Sequence, residues 1–313
     1  FLGLSGPQLT EAERGFFAEA DPAGYILFRR NCVDREQMRA LTDALRTLSG
    51  RADLPILIDQ EGGRVARMQP PTWPALPSGA AFDALYEVSP VAGIEAARAH
   101  AQAIAALLAE VGVNVDCLPL LDVRDPAGHD IIGDRALGAE PLRVAAMGRA
   151  VVEGLRAGGV VGVVKHIPGH GRARADSHVE LPVVEADEAA LERDIAPFRQ
   201  LSGAPMAMTA HVVYPAWDAE RCASLSPVVI GEVIRGRIGF DGLLMSDDLG
   251  MSALAGGFGE RAAGVLAAGC DIALHCSGDR AEMEAVAAAV GPIGAEARAR
   301  LDRAMATIAD APA

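Results

Sequence analysis

The sequence predicts an α/β protein folded as a single (β/α)₈, or TIM, barrel. Eight short runs of apolar and often β-branched residues recur along the chain. Most are continuous rather than alternating with polar residues, as in parallel strands that are covered on both faces. Stretches rich in Ala, Leu, Glu and Arg separate them, and strict β–α alternation favours a parallel architecture. The length of 313 residues suits one such barrel. We therefore expect residues 1–313 to form one catalytic barrel domain, with a doubly wound sheet as the alternative.

Each predicted element follows from its local pattern. The predicted strands are Phe1–Leu4, Tyr25–Phe28, Ile56–Asp59, Val113–Leu118, Val160–Lys165, Met206–His211, Leu243–Asp247 and Asp271–His275. Thr10 precedes Glu13 by three residues, which predicts a capping box at the start of the first helix. The later helices are predicted at Arg35–Leu48, Gly93–Val111, Leu142–Ala157, Glu188–Leu201, Pro227–Ile238, Gly259–Ala268, Arg280–Val290 and Gly294–Ile308. The Pro- and Gly-rich stretch Pro70–Gly79 reads as a surface loop rather than a domain boundary.

Composition excludes several classes of partner. The chain carries 28 Lys and Arg against 42 Asp and Glu, a net charge of −14. Such an acidic protein is poorly suited to nucleic acid or to an anionic membrane, since both attract clustered positive charge. No apolar run reaches the length of a membrane-spanning helix. Five cysteines without C-x-x-C spacing are typical of buried thiols in a reducing compartment. The sequence begins without Met, so it does not decide whether a signal peptide preceded it.

Polar clusters follow five of the predicted strands. In a barrel, catalytic residues come from the C-terminal ends of the strands and the loops after them. The five clusters are DQEGGRVAR at Asp59–Arg67, DIIGDR at Asp130–Arg135, KHIPGHGRARADSH at Lys165–His178, TAH at Thr209–His211 and SDDLG at Ser246–Gly250. Five clusters on separate strands predict one polar pocket at one end of the barrel.

The same segments carry a family resemblance. IDQEGGRVARM, GDRALG, KHIPGHGRARADSH, MTAHVVYP and LLMSDDLGM, in this order, resemble glycoside hydrolase family three and, within it, the bacterial β-N-acetylhexosaminidase branch. The resemblance covers nearly the whole chain and implies a (β/α)₈ barrel with no metal and no cofactor. Many relatives carry a second α/β domain, for which this chain is too short. The resemblance therefore points to the single-domain, cytoplasmic members of the branch.

The resemblance implies a retaining mechanism with a covalent glycosyl-enzyme. It places the nucleophile at Asp247. The residues alone leave Asp247 and Asp248 as alternatives, since successive strand residues face opposite ways. We expect Asp248 to cap the following helix or to support the site. The resemblance places the acid/base group in a loop dyad of Asp176 and His178, where a carboxylate can orient an imidazole that titrates near neutrality.

The resemblance also assigns five residues to the sugar-binding site. They are Asp59, Arg67, Arg135, Lys165 and His166. A carboxylate accepts hydrogen bonds from sugar hydroxyls, whereas Arg and Lys donate to hydroxyl and acyl oxygens. Glu61 is expected to shape its loop rather than to do chemistry. His211 is open between a supporting role and a core role, His100 is expected to be structural, and His129 and His170 are left undecided.

The loop that carries the dyad departs from the family pattern. Arg172 and Ala173 stand where many relatives have Asp-Thr, although the spacing to the dyad is unchanged. Arg172 and Arg174 either contact an anionic aglycone or are solvated. We expect them to form a basic rim at the pocket with Arg64, Arg67, Arg135, Lys165 and His166. The glycines Gly169 and Gly171 are predicted to let the loop move.

These observations predict an exo-β-N-acetylglucosaminidase of peptidoglycan recycling. Its expected substrate is N-acetylglucosamine linked β-1,4 to 1,6-anhydro-N-acetylmuramic acid, with or without peptide. The nearest alternative is a family-three enzyme, hydrolase or phosphorylase, that acts on another β-glycoside. Other classes are an aldolase with a Schiff base at Lys165, a metal-dependent hydrolase using His166 and His170, and a non-catalytic sugar-binding module. We expect a monomer or weak homo-oligomer that binds a small glycoside or muropeptide, with neither nucleic acid nor membrane as partner.

Overall fold

A curled sheet of seven parallel strands organises the protein. A computed structural model describes residues 1–309. The strands are β1 (Tyr25–Leu27), β2 (Ile56–Ile58), β3 (Val115–Asp116), β4 (Val161–Ile167), β5 (Met206–Thr209), β6 (Leu243–Asp248) and β7 (Ile272–Leu274). They pair in chain order, each parallel to the next. The predicted parallel α/β architecture is therefore confirmed. Two antiparallel ribbons lie outside this sheet, Gln60–Gly62 with Val65–Ala66 and Val213–Tyr214 with Asp218–Cys222.

The predicted first strand, Phe1–Leu4, forms only a bridge. Leu2 bridges Tyr25 on one side and His275 on the other, parallel to both. The amide of Ile26 donates to the Leu2 carbonyl at 3.0 Å, and the Gly3 amide donates to the His275 carbonyl at 2.7 Å. A Cβ on Gly3 would lie 2.4 Å from the Cys276 carbonyl oxygen, so the segment passes too close to the end of β7 for a larger residue there. Seven strands and one bridging residue thus replace the eight predicted strands.

Helices cover the outside of the sheet. They are α1 (Glu11–Ala20), α2 (Arg35–Ser49), α3 (Gly79–Val88), α4 (Pro90–Glu110), α5 (Pro141–Ala157), α6 (Glu188–Gln200), α7 (Phe258–Ala268), α8 (Arg280–Ala289) and α9 (Ala295–Ala306). The capping box predicted for α1 is confirmed, because Thr10 Oγ1 accepts from the Glu13 amide and Glu13 Oε2 accepts from the Thr10 amide. The helix predicted at 227–238 is a π-helix over Val229–Ile238. Helix α3 was not predicted.

Two apolar clusters explain why the strand sequences are continuous apolar runs. Ile26, Leu57, Val115 and other inward-facing strand residues form an inner cluster, to which α9 adds Leu301. The alternate residues of the same strands, such as Tyr25, join a larger cluster between sheet and helices. Apolar side chains therefore cover both faces of the sheet. Among residues 1–309, no helix combines the length and apolarity that crossing a bilayer requires.

Candidate active site

One pocket at the C-terminal ends of the strands contains the predicted site. It has a volume of about 820 Å³ and opens to solvent. Seven of the eight predicted site residues line it: Asp59, Arg67, Arg135, Lys165, His166, His178 and Asp247. The eighth, Asp176, is hydrogen-bonded to His178. Apolar side chains that include Phe28, Ile132, Met208 and Met251 complete the walls.

The centre of the pocket is a network of buried ion pairs. Lys165 Nζ lies 2.8 Å from Asp59 Oδ1 and 2.7 Å from Glu61 Oε1. The other Asp59 oxygen, Oδ2, accepts a 2.9 Å hydrogen bond from Arg67 Nη2. Arg135 makes a bidentate pair with Glu61, with Nε and Nη2 at 2.9 and 2.7 Å from the carboxylate oxygens. The network fixes these side chains before any substrate arrives.

Glu61 has a larger role than the sequence suggested. Its carboxylate joins Lys165 to Arg135, and its backbone carbonyl lies 3.1 Å from His100 Nε2. Burial raises the pKa of Glu61, but the two cations outweigh burial and the net shift is downward. Glu61 is therefore an ionised bridge within the site. The position of Glu61 directly after a buried strand, beside Asp59, was a signal for this.

The charge state of Lys165 argues against Schiff-base chemistry. Burial lowers the pKa of this amine, but Asp59 and Glu61 outweigh burial, so that the net shift is upward. A protonated amine has no lone pair with which to attack a carbonyl. Burial raises the pKa of Asp59, but Lys165 and Arg67 outweigh burial and hold it below its ordinary value. Lys165 is thus built to hold charge rather than to act as a nucleophile.

A second buried carboxylate, Asp122, positions two histidines. Its Oδ2 lies 2.7 Å from His166 Nδ1, and its Oδ1 accepts the His170 amide at 2.6 Å. The two imidazole rings meet edge to face, with centroids 5.6 Å apart. Sequence reasoning missed Asp122, although an isolated acid in the apolar run LPLLDV was an available signal. His170, left undecided from the sequence, lines the pocket and lies between this carboxylate and the dyad loop.

The dyad predicted in the loop after β4 is formed. His178 Nδ1 lies 2.7 Å from Asp176 Oδ1, and the same oxygen accepts the His178 amide at 2.9 Å. Burial raises the pKa of Asp176, but the two hydrogen bonds from His178 together outweigh burial and the net shift is downward. The His178 side chain is 58% exposed at the pocket mouth. It can therefore exchange protons with solvent and with a group in the pocket.

The two adjacent aspartates at the end of β6 have different surroundings. Asp248 Oδ1 accepts the amides of Gly250 and Cys276, at 2.9 and 3.0 Å, so this carboxylate ties the strand end to its neighbours. Within residues 1–309, the Asp247 carboxylate accepts one hydrogen bond, from the Asp248 amide at 2.8 Å. Both aspartates line the pocket, and neither forms an ion pair within residues 1–309. The second Asp247 oxygen accepts no hydrogen bond from these residues, whereas the Asp248 carboxylate supports the strand end.

Two further histidines support the site from behind. His211 is fully buried, with Nδ1 2.5 Å from Ser224 Oγ and Nε2 3.0 Å from the Asp248 carbonyl. It therefore holds the end of β6. Of the two roles that the sequence left open for His211, this is the supporting one. His100 lies on α4 and contacts the Glu61 carbonyl, in agreement with the structural role expected of it.

The start of the dyad loop is tightly packed. A Cβ on Gly171 would lie 1.8 Å from the Val123 carbonyl oxygen, so glycine is needed there for close approach of two backbones. Arg172 pairs with Asp194 at 2.6 Å and with Asp125 at 2.7 Å. Close packing therefore explains why residue 171 is a glycine, and no hinge at this position is needed to explain it.

Six of the seven residues of the predicted basic rim are paired with carboxylates, so their charge is largely neutralised. Arg64 pairs with Asp134 at 2.8 Å, Arg172 is held by two aspartates, and Arg67, Arg135 and Lys165 share Asp59 and Glu61. Arg174 is exposed and makes no ion pair within residues 1–309. Net charge and loop position did not reveal these partners, which lie far apart in sequence. Across residues 1–309, no group of three or more His, Cys, Asp or Glu is arranged to hold a metal ion.

Comparison with known proteins identifies the family. The model of the glycosyl hydrolase family 3 N-terminal domain matches residues 4–311. The β-hexosaminidase of Aromatoleum aromaticum is 39% identical over 306 residues, which cover 96% of this chain and 85% of that protein. The β-hexosaminidase of Alkalilimnicola ehrlichii is 41% identical over 281 residues, 88% of this chain and 80% of the relative.

Solved structures agree with this result. NagZ from Neisseria gonorrhoeae in complex with N-trifluoroacetyl-D-glucosamine superposes with a TM-score of 0.88 at 34% identity, covering 97% of this chain and 88% of that one. A family 3 β-N-acetylglucosaminidase from Paenibacillus gives a TM-score of 0.86 at 33% identity, with 100% of this chain and 62% of that one covered. The resemblance seen in the motifs is confirmed, and the chain belongs to glycosyl hydrolase family 3.

Proposed function

We propose that the protein is a retaining exo-β-N-acetylglucosaminidase that removes terminal β-linked N-acetylglucosamine from peptidoglycan fragments. One observation carries the proposal: Asp247, which forms no ion pair within residues 1–309, lines the same pocket as a histidine that is paired with an aspartate. A retaining glycosidase needs these two functions, a nucleophile and an acid/base group. The relatives named β-hexosaminidase, and the NagZ complex with an N-acylated glucosamine, support the choice of sugar.

The ion-pair network is suited to holding the sugar ring. Asp59, Lys165 and Arg67 present both hydrogen-bond acceptors and donors, which match the hydroxyl groups of a pyranose. Arg135 and His166 would bind the remaining hydroxyl and acyl oxygens. Because their partners already fix these groups, little side-chain ordering is left for the substrate to impose.

Two displacements then complete the reaction. An Asp247 oxygen attacks the anomeric carbon as the glycosidic bond breaks, and His178 gives its proton to the departing oxygen. In the second step His178 takes a proton from water. The resulting hydroxide attacks the same carbon and releases the Asp247 carboxylate. Asp176 holds the imidazole in place and stabilises the charged ring that gives its proton in the first step and forms again in the second.

The family assignment also supports proposals about the domain and the compartment. We propose that residues 1–313 form one catalytic domain in which Leu2 closes the sheet into an eight-stranded barrel, an arrangement that its two parallel bridges support. We also propose a cytoplasmic location, which the five unpaired thiols within residues 1–309 support.

The test is turnover of aryl N-acetyl-β-glucosaminides and of N-acetylglucosaminyl-1,6-anhydro-N-acetylmuramic acid by wild type, Asp247→Ala and His178→Ala. Asp247→Ala should be nearly inactive on all substrates. His178→Ala should lose roughly 10²- to 10⁴-fold on poor leaving groups and much less on good ones, which need little protonation. Ordinary activity in Asp247→Ala would refute the mechanism.

The phosphorolysis alternative is separated by its product. A neutral histidine repels incoming phosphate less than a second carboxylate would, so the identity of the acceptor needs its own measurement. Hydrolysis releases the free sugar in phosphate buffer, whereas phosphorolysis releases the sugar 1-phosphate. We expect the free sugar.

A further inference from the structure

The dyad lies on a short segment that has one buried residue. We define the dyad segment as residues 174–181, which run from Arg174 to Leu181. Ser177, between the two dyad residues, is 3% exposed, whereas the other seven are partly or fully exposed. Ser177 also lines the pocket. Ser177 is thus the one buried residue of the dyad segment, and it lies between the two residues of the dyad.

Both ends of the dyad segment are fixed to the body of the protein. On one side, the Ala173 carbonyl accepts the His129 amide at 2.7 Å. On the other, the Val213 amide donates to the Pro182 carbonyl, and the Val184 amide donates to the Val213 carbonyl, both at 2.9 Å. The residues between these anchors form an arc over the pocket mouth.

Ser177 links this arc to the two strands that carry the chemistry. Its Oγ lies 3.4 Å from His170 Nε2, in the loop after β4. Its carbonyl accepts the Ala253 amide at 3.2 Å, from the loop that follows Asp247. Within residues 1–309, these two contacts are the only hydrogen bonds between the dyad segment and the rest of the protein.

Within residues 1–309, the hydrogen bonds of the dyad are all internal to the dyad segment. Asp176 binds both the ring and the amide of His178, and the Asp176 carbonyl accepts the amides of Val179 and Glu180 at 2.9 and 3.0 Å. These contacts are internal to the segment. They fix His178 relative to Asp176 but not relative to the pocket.

We infer that Ser177 is a positioning residue, which sets His178 over the pocket by anchoring the dyad segment to His170 and Ala253. The inference rests on the proposed function, in which His178 is the acid/base group. Ser177 acts through His178 and not on the reacting atoms.

The partner of Ser177 is suited to a permanent anchor. Asp122 holds the His170 backbone, and the ring is buried. Burial, with a smaller contribution from His166, lowers the pKa of His170 to about 4. The anchor therefore stays neutral while His178 gains and loses a proton during turnover.

The experiment compares kcat/KM across aryl N-acetyl-β-glucosaminides of graded leaving-group acidity. Ser177→Ala should lose roughly 10- to 100-fold on the poorest leaving group, because misplacement of the proton donor matters there. On a dinitrophenyl leaving group the loss should stay within about threefold, because departure needs little protonation. Ser177→Thr keeps the hydroxyl and should recover most of the loss. Glu180→Ala, on the same segment but exposed and without a side-chain hydrogen bond, is the matched control and should behave as wild type.

The outcomes separate the inference from the proposed function. Equal losses on all leaving groups, or no loss, in Ser177→Ala would overturn the positioning role. If His178→Ala also lacks leaving-group dependence, the proposed acid/base function fails; if only Ser177→Ala lacks it, the inference alone fails. Should Ser177→Ala not fold, His170→Gln removes the side-chain partner without altering the segment, and the same comparison applies to it.

Discussion

Asp122 and His166 form a hydrogen-bonded pair in which the carboxylate has no exposure to solvent and Oδ2 lies 2.7 Å from Nδ1. The pair leaves His166 Nε2 as the nitrogen available to a ligand. The other Asp122 oxygen holds the His170 backbone, so one buried carboxylate supports both His166, which we propose binds the sugar, and the anchor of the dyad segment.

Asp122→Asn should therefore weaken both stability and substrate binding. Hydrogen bonds to a charged group contribute about 1.5–3 kcal/mol, and we expect a loss of this size in the free energy of unfolding together with a raised KM. Urea unfolding and steady-state kinetics measure the two effects. Asp134→Asn is the control, because its pair with Arg64 is largely exposed and should contribute at most about 1 kcal/mol. Equal effects of the two substitutions would contradict the role of Asp122.

Lys165→Met should destabilise the fold strongly. The change leaves Asp59 and Glu61 buried without their shared cation, and breaking a buried ion pair typically costs about 3–5 kcal/mol. The free energy of unfolding from urea denaturation measures this. Arg39→Ala removes an exposed i, i+4 pair with Asp43 and should cost about 0.5 kcal/mol or less. A Lys165→Met protein as stable as wild type would show that the network is not structural.

Stability should depend on pH through His170. Its pKa is lowered from 6.5 to about 4, so between these values the unfolded chain binds a proton that the folded protein does not. The stability due to neutral His170 is therefore fully present above about pH 6.5 and is lost as the pH falls toward 4. At about 1.4 kcal/mol per pKa unit, wild type should lose up to about 3 kcal/mol relative to His170→Gln over this interval.

Urea unfolding of both proteins between about pH 7 and pH 4.5 tests this linkage. Subtracting the free energy of unfolding of the variant from that of wild type cancels the pH dependence due to Asp59 and Glu61, which both proteins share. A stability difference that stays constant with pH would contradict the lowered pKa.

Gly171→Ala and Gly15→Ala should act in opposite directions. A Cβ on Gly171 would meet the Val123 carbonyl at 1.8 Å, and a backbone atom cannot move aside cheaply, so we expect a loss of roughly 3 kcal/mol or more. Gly15 lies exposed in α1 with nothing within 4 Å of an added Cβ, and alanine should stabilise by about 0.5–1 kcal/mol. Thermal unfolding of the two variants distinguishes close packing from simple helix propensity. A tolerated Gly171→Ala would mean that the two backbones are not in contact.

The sequence located the pocket because its signals are local. Asp59, Lys165 and Asp247 each follow or end a recognisable apolar run, and parallel strands bring their C-terminal ends to the same side. The partners of these residues could not be predicted in the same way. Asp59 and Lys165 are 106 positions apart, and Asp122 and His166 are 44 apart, so only the folded sheet shows that they pair.

The fold errors have physical causes too. The segment Phe1–Leu4 has the composition of a strand, but its close approach to Cys276 limits it to one bridging residue. Helix propensity does not distinguish the i→i+5 pattern of Val229–Ile238 from an ordinary helix. The neutralisation of the predicted basic rim could not be foreseen, because a count of cations near strand ends ignores the carboxylates that fold against them.

The arc held by Ser177 has a consequence for exchange of its backbone amides with solvent. Lifting it from the pocket exposes one small side chain and leaves the apolar clusters covered. Such a local opening exposes almost no additional surface, so its free energy depends little on the concentration of denaturant. Amide hydrogen exchange in residues 174–181 should therefore be fast and insensitive to low urea, while β4 and β6 exchange only through global unfolding. We therefore expect the segment to open while the strand ends that bear Asp59, Lys165 and Asp247 remain folded.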